Sequence, residues 1–152
     1  MRIYLAGPLF TQAERAWNRQ LADLLADAGH EVFLPQEAVK AIATLDADAI
    51  FRADVEGVRA AEAVVAILDG ADADSGTSFE CGLAYAIGTP IVGVRTDFRG
   101  GGDALPGQKL ATINLMLAQA LAAVVRVEDP GGELSTVARE VARALANLPA
   151  GG

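Results

Sequence analysis

Ala63-Val64-Val65-Ala66-Ile67-Leu68 is the stretch that decides the fold. Six consecutive apolar residues of strand length, with no polar face, read as a strand buried on both sides, the pattern of a central strand in a parallel sheet. After it, the polar loop 69–76 leads into helical sequence over 77–87, and 90–94 supplies another buried strand. Towards the N-terminus, 31–34 reads as a strand ended by Pro35, followed by helical sequence in two pieces up to about residue 59. Before that, 3–6 is a short apolar run stopped by Gly7-Pro8, and 13–28 carries Leu21, Leu24 and Leu25 at helical spacing before Gly29 closes it. Towards the C-terminus, 95–109 is a long loop rich in glycine and charge, 114–122 is helical, 123–127 is a fifth strand, and 134–148 is an amphipathic closing helix after Pro130-Gly131-Gly132.

Five strands alternating with helices predict an α/β chain: a flavodoxin-like doubly wound sheet of five parallel strands with helices on both faces. A length of 152 residues suits one domain over 1–152, large enough to bury roughly two thirds of its unfolded surface. Ligands in such sheets bind beyond the carboxyl ends of the strands, near the reversal of strand order. That rule selects the loops at 7–11, 69–80 and 95–109.

Composition narrows the partners. A net charge of -8 without a Lys/Arg cluster argues against a nucleic-acid backbone or an anionic membrane, both of which require a positive footprint. One His and one Cys make a His/Cys metal site implausible, and the lone Cys81 has no disulfide partner within the chain. Neither G-x-x-x-x-G-K-[ST] nor G-x-G-x-x-G occurs, so no phosphate-loop cofactor is indicated, and no cofactor or metal is expected. The opening residues run straight into a strand-like segment without a signal-peptide pattern, and no apolar stretch approaches the roughly 20 residues of a membrane span. A cytoplasmic location is the expectation.

The densest chemical cluster is Asp69-Gly70-Ala71-Asp72-Ala73-Asp74-Ser75-Gly76-Thr77-Ser78-Phe79-Glu80-Cys81-Gly82. Crowded carboxylates disfavour one another's ionisation, while acids near a helix start are ordinarily caps and dipole partners, the plain reading for Asp69 and Asp72. Glu80 is placed in the first helical turn, where the helix N-terminus is expected to favour its ionised form. An ionised carboxylate between Phe79 and Cys81 suits attack on an anomeric carbon, although spacing alone leaves that role open.

Several blocks together resemble the nucleoside 2-deoxyribosyltransferase family: Ile3-Tyr4-Leu5-Ala6-Gly7-Pro8 with Phe10 nearby, Asp54, the segment from Asp74 to Ala84, Thr96-Asp97-Phe98-Arg99, and Asn114-Leu115-Met116. The resemblance covers nearly the whole chain, and its most specific part is Asp-x-Gly-x-x-x-Glu-x-Gly-x-Ala. It implies that Glu80 is the nucleophile attacking C1' of a 2'-deoxynucleoside to form a covalent deoxyribosyl-enzyme, with Tyr4 holding the carboxylate. It also implies that Asp54 handles the proton of the leaving base, and that Asp74 accepts a hydrogen bond from the sugar 5'-hydroxyl. The resemblance further implies that Gly7, Phe10 and Gly76 border the substrate. Asn114, with Met116 beside it, reaches a neighbouring subunit's site, so a homo-oligomer is implied. Phe98 lies on the loop expected near the base, with its role open.

Related 5'-phosphate N-glycosidases place a serine where Asp74 stands, so the carboxylate favours free nucleosides over nucleotides. Deoxynucleosides and free nucleobases are the implied small-molecule partners. The end of the chain, 147–152, lacks the terminal tyrosine segment of the Lactobacillus-type members, and base preference does not transfer. Hydrolysis of the same bond is the alternative activity, and a non-catalytic nucleoside sensor is a third reading that the full residue set disfavours.

Overall fold

A computed structural model of the chain describes residues 1–42, 46–97, 113–127 and 132–149. Its five strands are β1 (Arg2–Ala6), β2 (Glu31–Phe33), β3 (Ala63–Ile67), β4 (Ile91–Arg95) and β5 (Ala123–Arg126), all parallel in the order β2-β1-β3-β4-β5. This is the doubly wound, flavodoxin-like order, with the reversal between β1 and β3. The helices are α1 (Gln12–Asp27), α2 (Pro35–Ala38), α3 (Ala47–Ala60), α4 (Ser75–Ala86), α5 (Leu115–Ala120) and α6 (Leu134–Ala146).

Two cores follow from strand alternation. Ile3, Leu5, Val65, Val92 and Val94 face α1 and α6, where they meet Leu21, Leu25, Val141 and Leu145. Tyr4, Ala6, Val64, Ala66 and Ile91 face the other way, towards Val58 of α3 and Cys81 and Ala84 of α4. Small residues on this second face let helices approach closely. A Cβ on Gly93 would sit 2.6 Å from Leu121 Cδ1.

Three assignments differ from the sequence expectation, each for a local reason. Helix α4 begins at Ser75, two residues earlier than read, because Asp74 caps it: its Oδ2 accepts from the Thr77 backbone N–H at 2.9 Å. Asp69 is not a cap of α4. Its Oδ1 accepts from the backbone N–H groups of Thr96 at 2.6 Å and Asp97 at 2.9 Å, across to the end of β4. Arg95, assigned to a loop by its charge, is the last residue of β4 and is buried, 1% exposed. No helix among the described residues is long and apolar enough to cross a membrane.

Candidate active site

Tyr4 sits in the middle of β1, fully buried, with its ring stacked on that of Phe33 at 5.2 Å between centroids. Helix α3 crosses directly over both rings because residue 57 is glycine: a Cβ there would lie 2.8 Å from Phe33 and 2.9 Å from Tyr4. Pinned in this way, the Tyr4 hydroxyl points at α4 and donates a 2.6 Å hydrogen bond to Glu80 Oε1. Glu80 Oε2 meets no donor among the described residues. Burial, and then the charge of Glu80, push the Tyr4 phenol far above its ordinary pKa, so it remains a proton donor throughout the physiological range.

Glu80 corrects the sequence expectation in two respects. It is the sixth residue of α4, a turn beyond the helix start, so the dipole effect has largely faded there. Its ionised form is disfavoured: burial raises its pKa to about 7, and the charges of Asp54 and Asp74 act in the same direction against the lowering effect of the Tyr4 hydrogen bond.

Asp54, on α3, is partly buried, and its Oδ1 is enclosed without a hydrogen-bond partner among the described residues. Burial raises its pKa too, favouring the protonated acid. Asp74 uses Oδ2 for the Thr77 backbone and the Thr77 hydroxyl, at 2.9 and 3.2 Å. Its Oδ1 meets no donor among the described residues.

A cavity of about 400 Å³ brings Glu80, Asp54, Asp74, Gly76, Gly7 and Phe10 together at the strand-order reversal. Gly7 fits because a Cβ would press to 3.0 Å on Ile67, and buried Asn18 fixes the turn by donating to the Pro8 carbonyl at 2.9 Å. Phe10 stands at the cavity rim with its side chain out, 76% exposed. A neighbouring chamber of about 270 Å³, walled by Phe51 and Phe79, shares Asp54, Gly76 and Glu80 with the first.

Two predicted residues are not brought to this cavity. Asn114 caps α5, its Oδ1 accepting from the Met116 N–H at 2.9 Å, and Met116 is 77% exposed. Both line a separate cavity of about 450 Å³ with Tyr85 and Gly82, on the other side of α4. Phe98 lies outside the described residues, as does most of the 95–109 loop.

Gln36 was missed. It is buried at the start of α2, lines the Glu80 cavity, and donates through Nε2 to the Arg15 carbonyl at 2.9 Å, while its Oε1 is buried without a partner among the described residues. The signal was present: Pro35-Gln36 directly follows the carboxyl end of β2, beside β1, where the ligand rule for such sheets also applies.

The profile of the family described as nucleoside 2-deoxyribosyltransferase matches residues 3–130. The chain belongs to that family. Among solved structures, a conserved protein from Enterococcus faecalis is 30% identical with a TM-score of 0.73, the match covering 94% of this chain and 98% of that one. A 2-deoxyribosyltransferase from Bacillus psychrosaccharolyticus is 26% identical with a TM-score of 0.65, covering 90% and 96%. A 2-deoxyribosyltransferase from Leishmania mexicana shares the fold at 24% identity, with a TM-score of 0.62 and 95% of each chain covered. A sequence search of curated proteins returns no match. Membership of the nucleoside 2-deoxyribosyltransferases places the Tyr4–Glu80 pair in a family that acts at the N-glycosidic bond of nucleosides.

Proposed function

We propose that this protein exchanges the base of 2'-deoxynucleosides through a covalent deoxyribosyl-Glu80 intermediate. The observation that carries the reading is the 2.6 Å bond from Tyr4 to Glu80 Oε1, which holds one carboxylate oxygen and leaves Oε2 for attack. Oε2 bonds to C1' as the C1'–N bond breaks, and the bonding pair leaves with the base nitrogen. Asp54, whose pKa burial raises, supplies the proton that a nucleobase needs to leave. An incoming base then attacks C1' from the vacated side as the C1'–Oε2 bond breaks, its electron pair returning to the Glu80 carboxylate, and the base gives its proton to Asp54, with net retention.

Asp74 Oδ1 is available to accept from a 5'-hydroxyl, and its charge opposes a 5'-phosphate. Gln36, held by its bond to the Arg15 carbonyl, lines the same cavity. Asn114 and Met116, remote from Glu80 in their own chain, are assigned to a second subunit's site, and the exposed Tyr85 and Met116 support a contact there.

Hydrolysis is the second reading, supported by the exposed Phe10 rim, which leaves the cavity mouth open to water. Incubation with deoxyinosine and adenine separates the readings: deoxyadenosine marks transfer, free deoxyribose marks hydrolysis, and neither product refutes both. Glu80→Ala is expected to abolish either product.

A further inference from the structure

Beyond the cavity, a cluster of polar side chains and backbone groups joins the ends of β3 and β4. Asp69 accepts three hydrogen bonds from the far side: Thr96 N–H at 2.6 Å, Asp97 N–H at 2.9 Å, and the Thr96 hydroxyl at 2.5 Å. The bonding is reciprocal, since Asp97 Oδ2 accepts from the Gly70 N–H at 3.1 Å. Buried Arg95 closes the knot by donating to the Leu68 carbonyl and, at 2.9 Å, to the Gly70 carbonyl. Gly70 is thus held at both its N–H and its carbonyl, in a backbone conformation of φ +118° that glycine adopts readily and other residues rarely do.

Only three residues separate Gly70 from Asp74, the cap of α4 and the wall of the cavity facing Glu80. A carboxylate that must meet a sugar hydroxyl within a few tenths of an ångström requires a fixed approach, and a loop of this length transmits displacement at its root directly to Asp74.

We infer that Asp69 is a positioning residue: by clasping Thr96 and Asp97 it fixes the root of the 70–74 loop and so sets Asp74 against the 5' end of the substrate. The inference rests on the proposed function for its substrate, and on the hydrogen bonds alone for its mechanics.

Asp69→Ala removes all three accepted bonds. Asp69→Asn keeps them: its Oδ1 still accepts both backbone N–H groups, and its amide donates to the Thr96 hydroxyl. Thr96→Val deletes one bond and spares the rest. The measurement is kcat/KM for a 2'-deoxynucleoside and for its 2',5'-dideoxy analogue, which lacks the 5'-hydroxyl.

Asp69→Ala is expected to lower kcat/KM for the hydroxyl-bearing substrate by about ten- to a hundred-fold while leaving the analogue within about two-fold. Thr96→Val falls between, and Asp69→Asn restores the discrimination. Parallel loss on both substrates, loss on neither, or failure of the asparagine to restore it overturns the inference.

Amide hydrogen exchange over residues 70–77 tests the mechanics without turnover. Faster exchange in Asp69→Ala but not in Asp69→Asn is expected, and equal exchange in all three proteins overturns the clasp. Inactivity of the wild-type protein on both substrates would instead count against the proposed function, with the exchange result still deciding the clasp.

Discussion

Tyr4 and Glu80 lie 76 positions apart in sequence, on β1 and α4, yet their side chains meet at 2.6 Å. A hydrogen bond from a buried phenol to a carboxylate both orients the acceptor and stabilises its charge, and such bonds contribute about 1.5–3 kcal/mol. Tyr4→Phe keeps the ring and its stacking on Phe33 while deleting the donor. The expected result is a fall in kcat of roughly 10- to 100-fold, with the acid limb of the pH–rate profile moving to higher pH as Glu80 loses the one contact that lowers its pKa. An acid limb that stays in place would show that the contact does not tune the nucleophile.

The raised pKa of Glu80 also links stability to pH. Its value in the folded protein is about 7 against an ordinary 4.5, so the folded state holds the proton more tightly than the unfolded chain. Stability from this group is fully present below about pH 4.5 and is lost as pH rises through about 7. Glu80→Gln still accepts from Tyr4 but carries no charge. Its stability is expected to match the wild type near pH 4.5 and to exceed it at pH 8 by on the order of 3 kcal/mol at most, with a correspondingly higher melting temperature at pH 8. Paired thermal melts at the two pH values measure this, and an advantage independent of pH would contradict it. Activity runs the other way, because attack requires the ionised carboxylate.

The strand framework was legible because a strand buried on both faces announces itself as an unbroken apolar run, as in 63–67, and because the first two strands end at Gly7-Pro8 and Pro35. The start of α4 was less so, since Ser75 and Gly76 are poor helix formers and the cap at Asp74 shows itself only through its bond to Thr77. The charge state of Glu80 ran opposite to expectation because burial depth depends on which helices pack over it. No local pattern encodes that. Arg95 was misplaced for a related reason: a guanidinium reads as surface unless the carbonyls of Leu68 and Gly70 that receive it are known. Gln36 follows the second strand and so lies outside the loops 7–11, 69–80 and 95–109, which the strand-end rule selects.

Gly57 tests how far the packing around Tyr4 controls the chemistry. In most helix interiors Gly→Ala stabilises by about 1 kcal/mol. Here the added methyl would lie 2.8 Å from Phe33 and 2.9 Å from Tyr4, and the fully buried Tyr4 ring has nowhere to retreat. Overpacking of this kind costs about 1–3 kcal/mol, so Gly57→Ala is expected to be net destabilising by about 1 kcal/mol. It is also expected to lower kcat, because the displaced ring carries its hydroxyl away from Glu80. Chemical denaturation and initial rates measure the two effects, and a stabilised, fully active variant would show that the rings yield without cost.

Asp74→Ser separates the charge of this residue from its capping. Serine caps helices about as well as aspartate, so stability is expected to change by less than about 1 kcal/mol. Loss of the negative charge should favour a 5'-phosphate relative to a 5'-hydroxyl by roughly 10- to 100-fold in kcat/KM, since like charges a few ångströms apart in a partly buried site repel by several kcal/mol before screening. The same substitution removes one of the charges that raise the Glu80 pKa, so the acid limb of the rate profile should move to lower pH, opposite to Tyr4→Phe. Competition between a deoxynucleoside and its 5'-monophosphate, followed across pH, measures both effects. An unchanged substrate ratio with a shifted acid limb would place Asp74 near Glu80 but away from the 5' end. If neither moved, Asp74 would be left with no role beyond capping α4.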